Sequence, residues 1–586
     1  MVDNIFDIFK KTGIFKNIDL YSANFIANKN QDYFNETFTI ISLLSYNLRE
    51  KGHTCIPIEE LNNIIKDLKY KNNIDLDLDL NLEDFFNSEF FKNKNTPIII
   101  ENNKIYMKKI KKYEETIRNY IYSKKHSKNI VELPKSFDKV FGNSQEIDWQ
   151  KIAGICVFRN KFTAITGGPG TGKTTTVAKI ICALLIDNEN LKIKLCAPTG
   201  KAAVRITESI QNSVKFLKEN NIKQEILDKI PTEATTIHRL LGSKKFTTEF
   251  KHNENNPIQA DIIFVDEASM IDLGMMAKLI KGLDKHTQLV LIGDMDQLAS
   301  VEAGSVFGDI CRRGADNYTK DFIKEFIKEN TDKLNNKKSD LKDSIVILKK
   351  VYRFDAKSGI GKLAITVNNM NIKESLQLLS KCNNNIEYFE KLQLEEIINK
   401  VINGYSDYIK LIENKEENPE KIYNAFNRFR TLCNIKKGRF GTESINEQIC
   451  QKFRKNPAKK HFYGMPIMIG KNYHNFEIYN GDTGIITYLD ENEDKPLFTI
   501  TNNKGVKTVS LGLIDQWEAA FAITIHKSQG SEFENVLTVL SGKTDFSTKE
   551  LLYTAITRAK DKFSLYSEKE ILKNTITRKI TRYSGL

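Results

Sequence analysis

Cysteine, proline and tryptophan are sparse in this 586-residue chain, with eight, eleven and two copies. The cysteines (Cys55, Cys156, Cys182, Cys196, Cys311, Cys382, Cys433 and Cys450) are scattered, and none forms a CxxC. That spread excludes a small disulfide scaffold and a zinc ribbon, and it reads as reduced core thiols of a cytoplasmic protein. Long apolar runs are missing too. No stretch approaches the roughly 18 residues that cross a membrane, so no membrane partner is expected. Met1-Val2-Asp3-Asn4-Ile5-Phe6 has no basic segment leading into an apolar one, so no signal peptide is expected. Carboxylates are in deficit. Against 88 Lys+Arg stand 75 Asp+Glu, leaving a net charge of +13. That balance invites a nucleic-acid partner. Stretches such as Lys71-Asn72-Asn73-Ile74 and Asn335-Asn336-Lys337-Lys338 offer a blander source, a compositional bias toward Lys, Asn and Ile.

What is present is ordinary for a soluble multidomain protein: 40% hydrophobic and 28% charged residues. Residues 1–110 carry apolar positions at helical spacing in Phe34–Leu48 and Ile58–Leu68. Ile98-Ile99-Ile100 and Glu101 to Tyr106 read as a β-hairpin with an asparagine turn. The adjacent aromatics Phe85-Phe86 and Phe90-Phe91 suit a helical core or a docking surface for a partner. Tyr113–Tyr122 reads as a short amphipathic helix, and the polar stretch Lys125–Asn143, with Pro134, as a linker. From Trp149 onward, apolar strands alternate with helices, which predicts parallel sheets. Two stretches break that rhythm. Glu329–Asp343 is a Lys/Asn/Asp-rich loop, and Gly464–Leu513 has short β-like runs between glycine turns, as in a small inserted β-barrel.

Phe162–Thr166 is a buried-strand pattern that runs into Gly167-Gly168-Pro169-Gly170-Thr171-Gly172-Lys173-Thr174, followed by a helical run from Thr175. Strand, glycine-rich loop and helix in this order make a phosphate loop. The glycines let backbone N–H groups turn toward phosphate oxygens, and the helix N-terminus adds its dipole. Lys173 would reach the β- and γ-phosphates, and Thr174 would ligate Mg2+. The strand Asp261–Val265 ends in Asp266 and Glu267. There Asp266 would hold Mg2+, usually through water, and Glu267 would polarise the attacking water. A third apolar strand, Leu289–Ile292, ends near Asp294 and Gln297; Gln297 suits a γ-phosphate sensor, or both are turn residues at a strand end. Arg353 and Arg558 are candidate arginine fingers, although a lone arginine is a surface residue by default.

The order of these pieces resembles superfamily 1 helicases. Gln150, in Trp149-Gln150-Lys151, stands where that family reads adenine. Then follow Gly167–Thr174, Ala197-Pro198-Thr199-Gly200-Lys201, Asp266-Glu267, Gly293-Asp294-Met295-Asp296-Gln297, Tyr352-Arg353, His526-Lys527-Ser528-Gln529-Gly530 and Tyr553-Thr554-Ala555-Ile556-Thr557-Arg558. Within the superfamily, Thr236–Gly242, Ala299–Asp309, Phe440-Gly441, Tyr479-Asn480-Gly481-Asp482-Thr483-Gly484 and Thr581–Leu586 resemble the RecD family, the alpha subunits of exodeoxyribonuclease V.

The resemblance implies an α/β fold with two RecA-like P-loop domains, a helical N-terminal domain and a small SH3-like β insertion. The expected division is a partner-docking domain at 1–110, a linker at 111–145, motor domain 1 at 146–350 and motor domain 2 at 351–586. A small β-hairpin is expected near 244–258 and the insertion near 462–515. ATP with Mg2+ would lie between the motor domains. Gln150, Gly167, Gly168, Pro169, Gly170, Thr171, Gly172, Lys173, Thr174, Thr175 and Gln529 would bind ATP; Lys173, Asp266, Glu267, Gln297, Arg353 and Arg558 would act in catalysis. Pro198, Thr199, His238, Asn480, His526 and Ser528 match positions near single-stranded DNA, although His238 and His526 also suit hydrogen-bonded structural roles. The implied activity is a 5′→3′ DNA helicase within a heterotrimeric helicase–nuclease, beside two larger RecB-like and RecC-like subunits. It would act on double-stranded DNA ends in recombinational repair and DNA degradation. Two other readings compete. One is a stand-alone RecD-like helicase, disfavoured because no paired helix-hairpin-helix signature lies in residues 1–139. The other is a structural or regulatory subunit with a decayed ATPase, disfavoured because the chemical positions are intact. No carboxylate cluster for a two-metal nuclease is evident, so exonuclease activity is expected on a partner.

Overall fold

The computed structural model describes residues 9–10, 13, 15–29, 36–72, 96–124, 133–142, 146–219, 222–244, 247–300, 302–327, 341–352, 359–381, 385–454, 459–489, 495–502, 505–542 and 546–586. The expectations for Phe85–Phe91, for the loop over 329–340 and for Arg353 therefore lie outside the described residues. Helices Asn17–Lys29, Glu36–Glu50 and Ile58–Asn72 pack with a small sheet in the N-terminal region. That sheet joins β1 (Ile56–Pro57), β2 (Ile98–Glu101) and β3 (Lys104–Met107) in the order β1-β3-β2. The hairpin between β2 and β3 turns at Asn102 and Asn103, with φ of 51° and 57°. Asparagine tolerates that left-handed region, and two such residues match the right-handed twist of the flanking strands.

Residues 111–145 are not a linker where they are described. Helix α1 (Lys108–Ser123) buries Ile110, Ile117 and Ile121 against the first α/β body, chiefly on α2 (Leu273–Lys281). The 7- and 4-residue spacings of these isoleucines put them on one helical face, and a linker would have no use for such a face. A second helix, Lys135–Phe141, adds Phe137 and Val140 to the same body.

The first body is a parallel sheet of β4 (Phe162–Thr166), β5 (Ile193–Ala197), β6 (Thr235–Thr236), β7 (Ile262–Val265), β8 (Gln288–Gly293) and β9 (Ile345–Ile347). Its order is β6-β5-β7-β8-β4-β9, with every pair parallel. β4, β7 and β8 are buried along their whole length, as a sheet covered on both faces requires. Among the described residues, the stretch expected as a β-hairpin near 244–258 carries isolated bridges, Ser243 with Phe250, Asn253 with Asn256 and Ile258 with Leu283, and no paired strands.

The second body is also parallel. β10 (Ile386–Phe389), β11 (Phe429–Cys433), β17 (Ala522–Thr524), β18 (Phe533–Leu540) and β19 (Ala559–Ser567) lie in the order β10-β19-β18-β11-β17. The insertion between β11 and β17 holds five antiparallel strands: β12 (Pro466–Ile469), β13 (Thr483–Tyr488), β14 (Pro496–Asn502), β15 (Gly505–Ser510) and β16 (Trp517–Ala519). They run in the order β15-β14-β13-β12-β16, and no ladder joins β15 to β16 among the described residues, so the insertion is an open meander. It shares one hydrophobic core with the second body, in which Ile467, Ile485 and Phe498 lie with Leu432 and Leu537. Such a shared core fixes the insertion to its host.

Candidate active site

Carboxyl ends of parallel strands are where α/β sheets bind ligands, and the candidate residues gather at the ends of β4, β7 and β8. The loop after β4 turns with φ of 80° at Gly170 and 76° at Gly172, a region that glycine enters without strain. A Cβ at Gly172 would lie 2.7 Å from Gln150 Nε2, so a side chain there would collide with Gln150. Lys173 opens the following helix, Lys173–Asp187, and its Nζ donates to the carbonyls of Gly167 (2.8 Å) and Gly168 (3.1 Å). Thr174 and Thr175 sit half-buried in that helix's first turn. Thr171 Oγ1 donates to the Gly168 carbonyl at 2.8 Å. Gln150 is buried beside the loop, with Lys179 Nζ on its Oε1 at 3.2 Å.

Asp266 and Glu267 end β7. Glu267 has φ of 50°, an uncommon conformation for a non-glycine residue, and its N–H donates to Asp266 Oδ1 at 2.8 Å. Burial, with the Glu267 carboxylate second, pushes Asp266 up to about 6, against the pull of Lys173. A divalent cation would relieve that crowding. Among the described residues no group of three His, Cys, Asp or Glu forms a closed cage. One hydroxyl and one carboxylate, completed by phosphate and water, suit Mg2+, which retains several waters. Thr174 and Asp266 therefore fit as its protein ligands.

Asp294 ends β8 and is buried. It accepts from Asp296 N (3.1 Å), Gln297 Nε2 (3.0 Å) and Tyr553 Oη (3.1 Å). Burial pushes it up to about 6, and Lys173 opposes that shift. Tyr553 comes from the second body, on α3 (Lys549–Ile556). Arg558 follows α3 and is buried, donating from Nε to Thr554 O (3.2 Å) and from Nη1 to Ser531 O (3.0 Å). Burial lowers its pKa, and the nearby Glu267 and Glu532 carboxylates raise it. Arg558 thus lies across the cleft from Glu267. Gln529 Nε2 donates to Leu298 O at 2.8 Å, one residue past Gln297. The cleft therefore brings together Gln150, the phosphate loop, Asp266, Glu267, Gln297, Gln529 and Arg558.

The candidates for DNA contact are less uniform. Thr199 Oγ1 accepts from Ala202 N at 3.2 Å and caps the helix after β5. Gly200 lies against the Tyr479 ring, so Pro198 and Thr199 of the first body approach Asn480 of the second. His238 is exposed, its ring 5.7 Å from Phe250. His526 is half-buried, with Arg582 as its charged neighbour. Ser528 is fully buried, and its Oγ donates to Ile525 O at 2.7 Å. That hydroxyl faces the protein interior and not a strand, which corrects its expected role.

Sequence reasoning missed several residues. Tyr352 donates its N–H to Gly170 O at 2.7 Å and is 56% exposed at the lip of the loop, its ring beside Gly172. Lys201 and Asp482 face each other across the bodies; burial lowers Lys201 to about 8 and raises Asp482 to about 6. Arg205 pairs with Glu532 across the same seam. The signal for Tyr553 was its place at the head of the Arg558 motif.

The chain is similar in sequence to known proteins. The AAA domain model matches residues 150–303, and the UvrD-like helicase C-terminal domain model matches 519–566. The RecBCD enzyme subunit RecD of Buchnera aphidicola subsp. Acyrthosiphon pisum is 32% identical over 97% of each chain. That of Haemophilus influenzae is 34% identical over 78% of this chain and 74% of its own. Among solved structures, Bacteroides Pif1 bound to single-stranded DNA aligns with a TM-score of 0.41 at 18% identity, covering 75% of this chain and 95% of that one. A phosphate loop faced by Arg558 from a second parallel-sheet body, and a relative one-third identical end to end, place this chain in the RecD family.

Proposed function

We propose that the chain is the ATP-dependent 5′→3′ DNA helicase subunit of a heterotrimeric helicase–nuclease, working on double-stranded DNA ends in the cytoplasm. The observation that carries this reading is the cleft, where Lys173, Glu267 and Gln297 of one body meet Arg558 and Gln529 of the other. Gln150 and the exposed ring of Tyr352 would hold the adenine base at the lip. Lys173 would leave the Gly167 and Gly168 carbonyls to reach the phosphates. Glu267 would orient the attacking water, and Arg558 would stabilise the charge that develops on the transferred phosphoryl group. Mg2+, held by Thr174 and Asp266, would neutralise phosphate charge when bound. Arg353 would stand as a second finger. Hydrolysis would loosen the grip between the bodies, and the seam of Pro198, Thr199 and Asn480 would shift along single-stranded DNA; domain closure of this kind is a common nucleotide-driven motion. His238 and His526 would line the same path.

Two larger subunits, RecB-like and RecC-like, would dock on the N-terminal region. Supporting this, Ile18, Tyr21 and Phe25 stand 59%, 72% and 63% exposed along one helix, at spacings of three and four residues. An exposed apolar stripe is the kind of surface that a partner covers. The test is unwinding by the purified full chain. A duplex with a 5′ tail should open and one with a 3′ tail should not, and Lys173→Gln should abolish both unwinding and ATP hydrolysis. The opposite polarity would reject the reading. In a separate pull-down, Tyr21→Asp with Phe25→Asp should release the two larger subunits; their retention would reject the docking role.

A further inference from the structure

The second body holds the segment Asp294–Leu298 at three points. Tyr553 Oη donates to Asp294 Oδ2 at 3.1 Å, Thr554 Oγ1 accepts from Leu298 N at 3.1 Å, and Gln529 Nε2 donates to Leu298 O at 2.8 Å. This segment also contains Gln297, whose amide shares the same Oδ2 of Asp294 at 3.0 Å. Tyr553 also reaches the phosphate loop. A Cβ placed on Gly168 would lie 3.1 Å from its hydroxyl, so the phenol oxygen sits directly over the loop backbone. Gly168 is one of the two carbonyls that Lys173 holds. Tyr553 and Arg558 leave the same short helix, with the Arg558 guanidinium tied back to the Thr554 carbonyl at 3.2 Å. Whatever fixes the phenol therefore fixes the approach of the guanidinium.

We propose that the Tyr553 hydroxyl is a positioning residue for ATP hydrolysis: by docking on Asp294 it sets the second body so that Arg558 and Gln297 address the same phosphate. This inference rests on the ATP-site reading above. The physical basis is a hydrogen bond to a buried carboxylate, which is stronger than a neutral pair and directional enough to set a helix against a strand end. The ring is 6% exposed, so its packing would survive loss of the hydroxyl while the registration would not. A merely structural tyrosine would change stability. A positioning one changes the rate at which bound ATP is hydrolysed.

The test is steady-state, DNA-stimulated ATP hydrolysis by the full chain. Tyr553→Phe should lower kcat about tenfold and leave KM for ATP within about twofold, the pattern of an interaction realised in the transition state. Asp294→Asn should lose a similar factor. The double variant should be no slower than the slower single one, because both remove one contact. Full kcat in Tyr553→Phe, losses that multiply in the double variant, or a loss confined to KM would each overturn the inference. Lys173→Gln, run in parallel, separates the two readings. If it keeps turnover, the ATP site itself is misassigned; if it is inactive while Tyr553→Phe is normal, only the role of Tyr553 fails.

Discussion

At the scale of single residues, each group in the cleft acts through its chemical type and the neighbour that holds it. Gly167 to Thr174 announce a phosphate loop through glycines whose backbone angles, as at Gly170 and Gly172, other residues would resist. Asp266 and Glu267 were legible as a strand-end pair. The crowding between them, and the burial that pushes Asp266 up to about 6, emerge only in three dimensions. The motif of Arg558 points to Tyr553, but its pairing with Asp294 is not legible, since the two lie 259 positions apart and no local pattern encodes it. Ser528 was misread because a serine beside His526 gives no sign of which way its hydroxyl turns. Arg558 yields a sharp expectation. Its guanidinium is buried and donates through two separate nitrogens, a geometry that lysine cannot copy. Arg558→Ala should lower kcat for ATP hydrolysis by about 10³ or more, as for other arginine fingers, and Arg558→Lys should recover little of it. Quenched-flow measurement of single-turnover hydrolysis, with nucleotide binding followed separately, would check this. Weakened binding at unchanged kcat would count against a finger.

At the scale of elements, periodicity located the helices and strands but not what they lean on. Trp149 onward reads as alternating strand and helix, and both bodies are indeed parallel sheets. The Asn102-Asn103 hairpin was readable because its turn type needs two left-handed residues. The glycine turns predict a small β-barrel insertion, and the structure has a β insertion there, of five strands. Its open edge depends on which strands pair, which composition does not encode. Helix α1 is the instructive miss. Its amphipathic stripe was visible, yet a polar neighbourhood with Pro134 suggested a linker, and the docking partner α2 lies about 150 residues on in sequence. A face that buries Ile117 completely must contribute to the stability of the first body. Ile117→Ala should cost about 2–5 kcal/mol, the range for large-to-small changes in a core. Asn119→Ala on the exposed side of the same helix should stay within about 0.5 kcal/mol. Chemical denaturation of the two variants, with Lys173 intact, would check the contrast. Equal losses would show that α1 does not brace the body.

At the scale of the whole molecule, the segment Thr581–Leu586 returns from the second body to the other two parts of the chain. Arg582 Nη1 donates to Gly304 O at 2.8 Å and Nη2 to Ser300 O at 2.8 Å, just past the Gln297 segment of the first body. Tyr583 N donates to His53 Nδ1 at 3.0 Å, and Thr54 N donates to Tyr583 O at 2.9 Å, in the N-terminal region. Gly585 N donates to the buried Glu114 Oε1 at 2.9 Å, on α1. One short segment thus ties three parts together. Nothing in its sequence shows this, because its partners lie hundreds of positions away. Arg582→Ala removes the charged donor from the Ser300 and Gly304 carbonyls and should destabilise the fold by about 2 kcal/mol, since a bond from a charged donor contributes about 1.5–3 kcal/mol. His53 adds a pH dependence to the same clasp. As an acceptor through Nδ1 it must be unprotonated there. Burial first, and Arg582 next, hold it near 4 against an ordinary 6.5. Above pH 6.5 neither the folded nor the unfolded chain protonates it, and the stabilisation is complete. As the pH falls from 6.5 toward 4, the unfolded chain takes the proton first, so stability declines. His53→Asn keeps an acceptor without titrating. Between pH 6.5 and 4 its melting temperature should therefore fall less steeply than that of the unmodified protein, and parallel curves would show that His53 does not carry the proton linkage of the clasp.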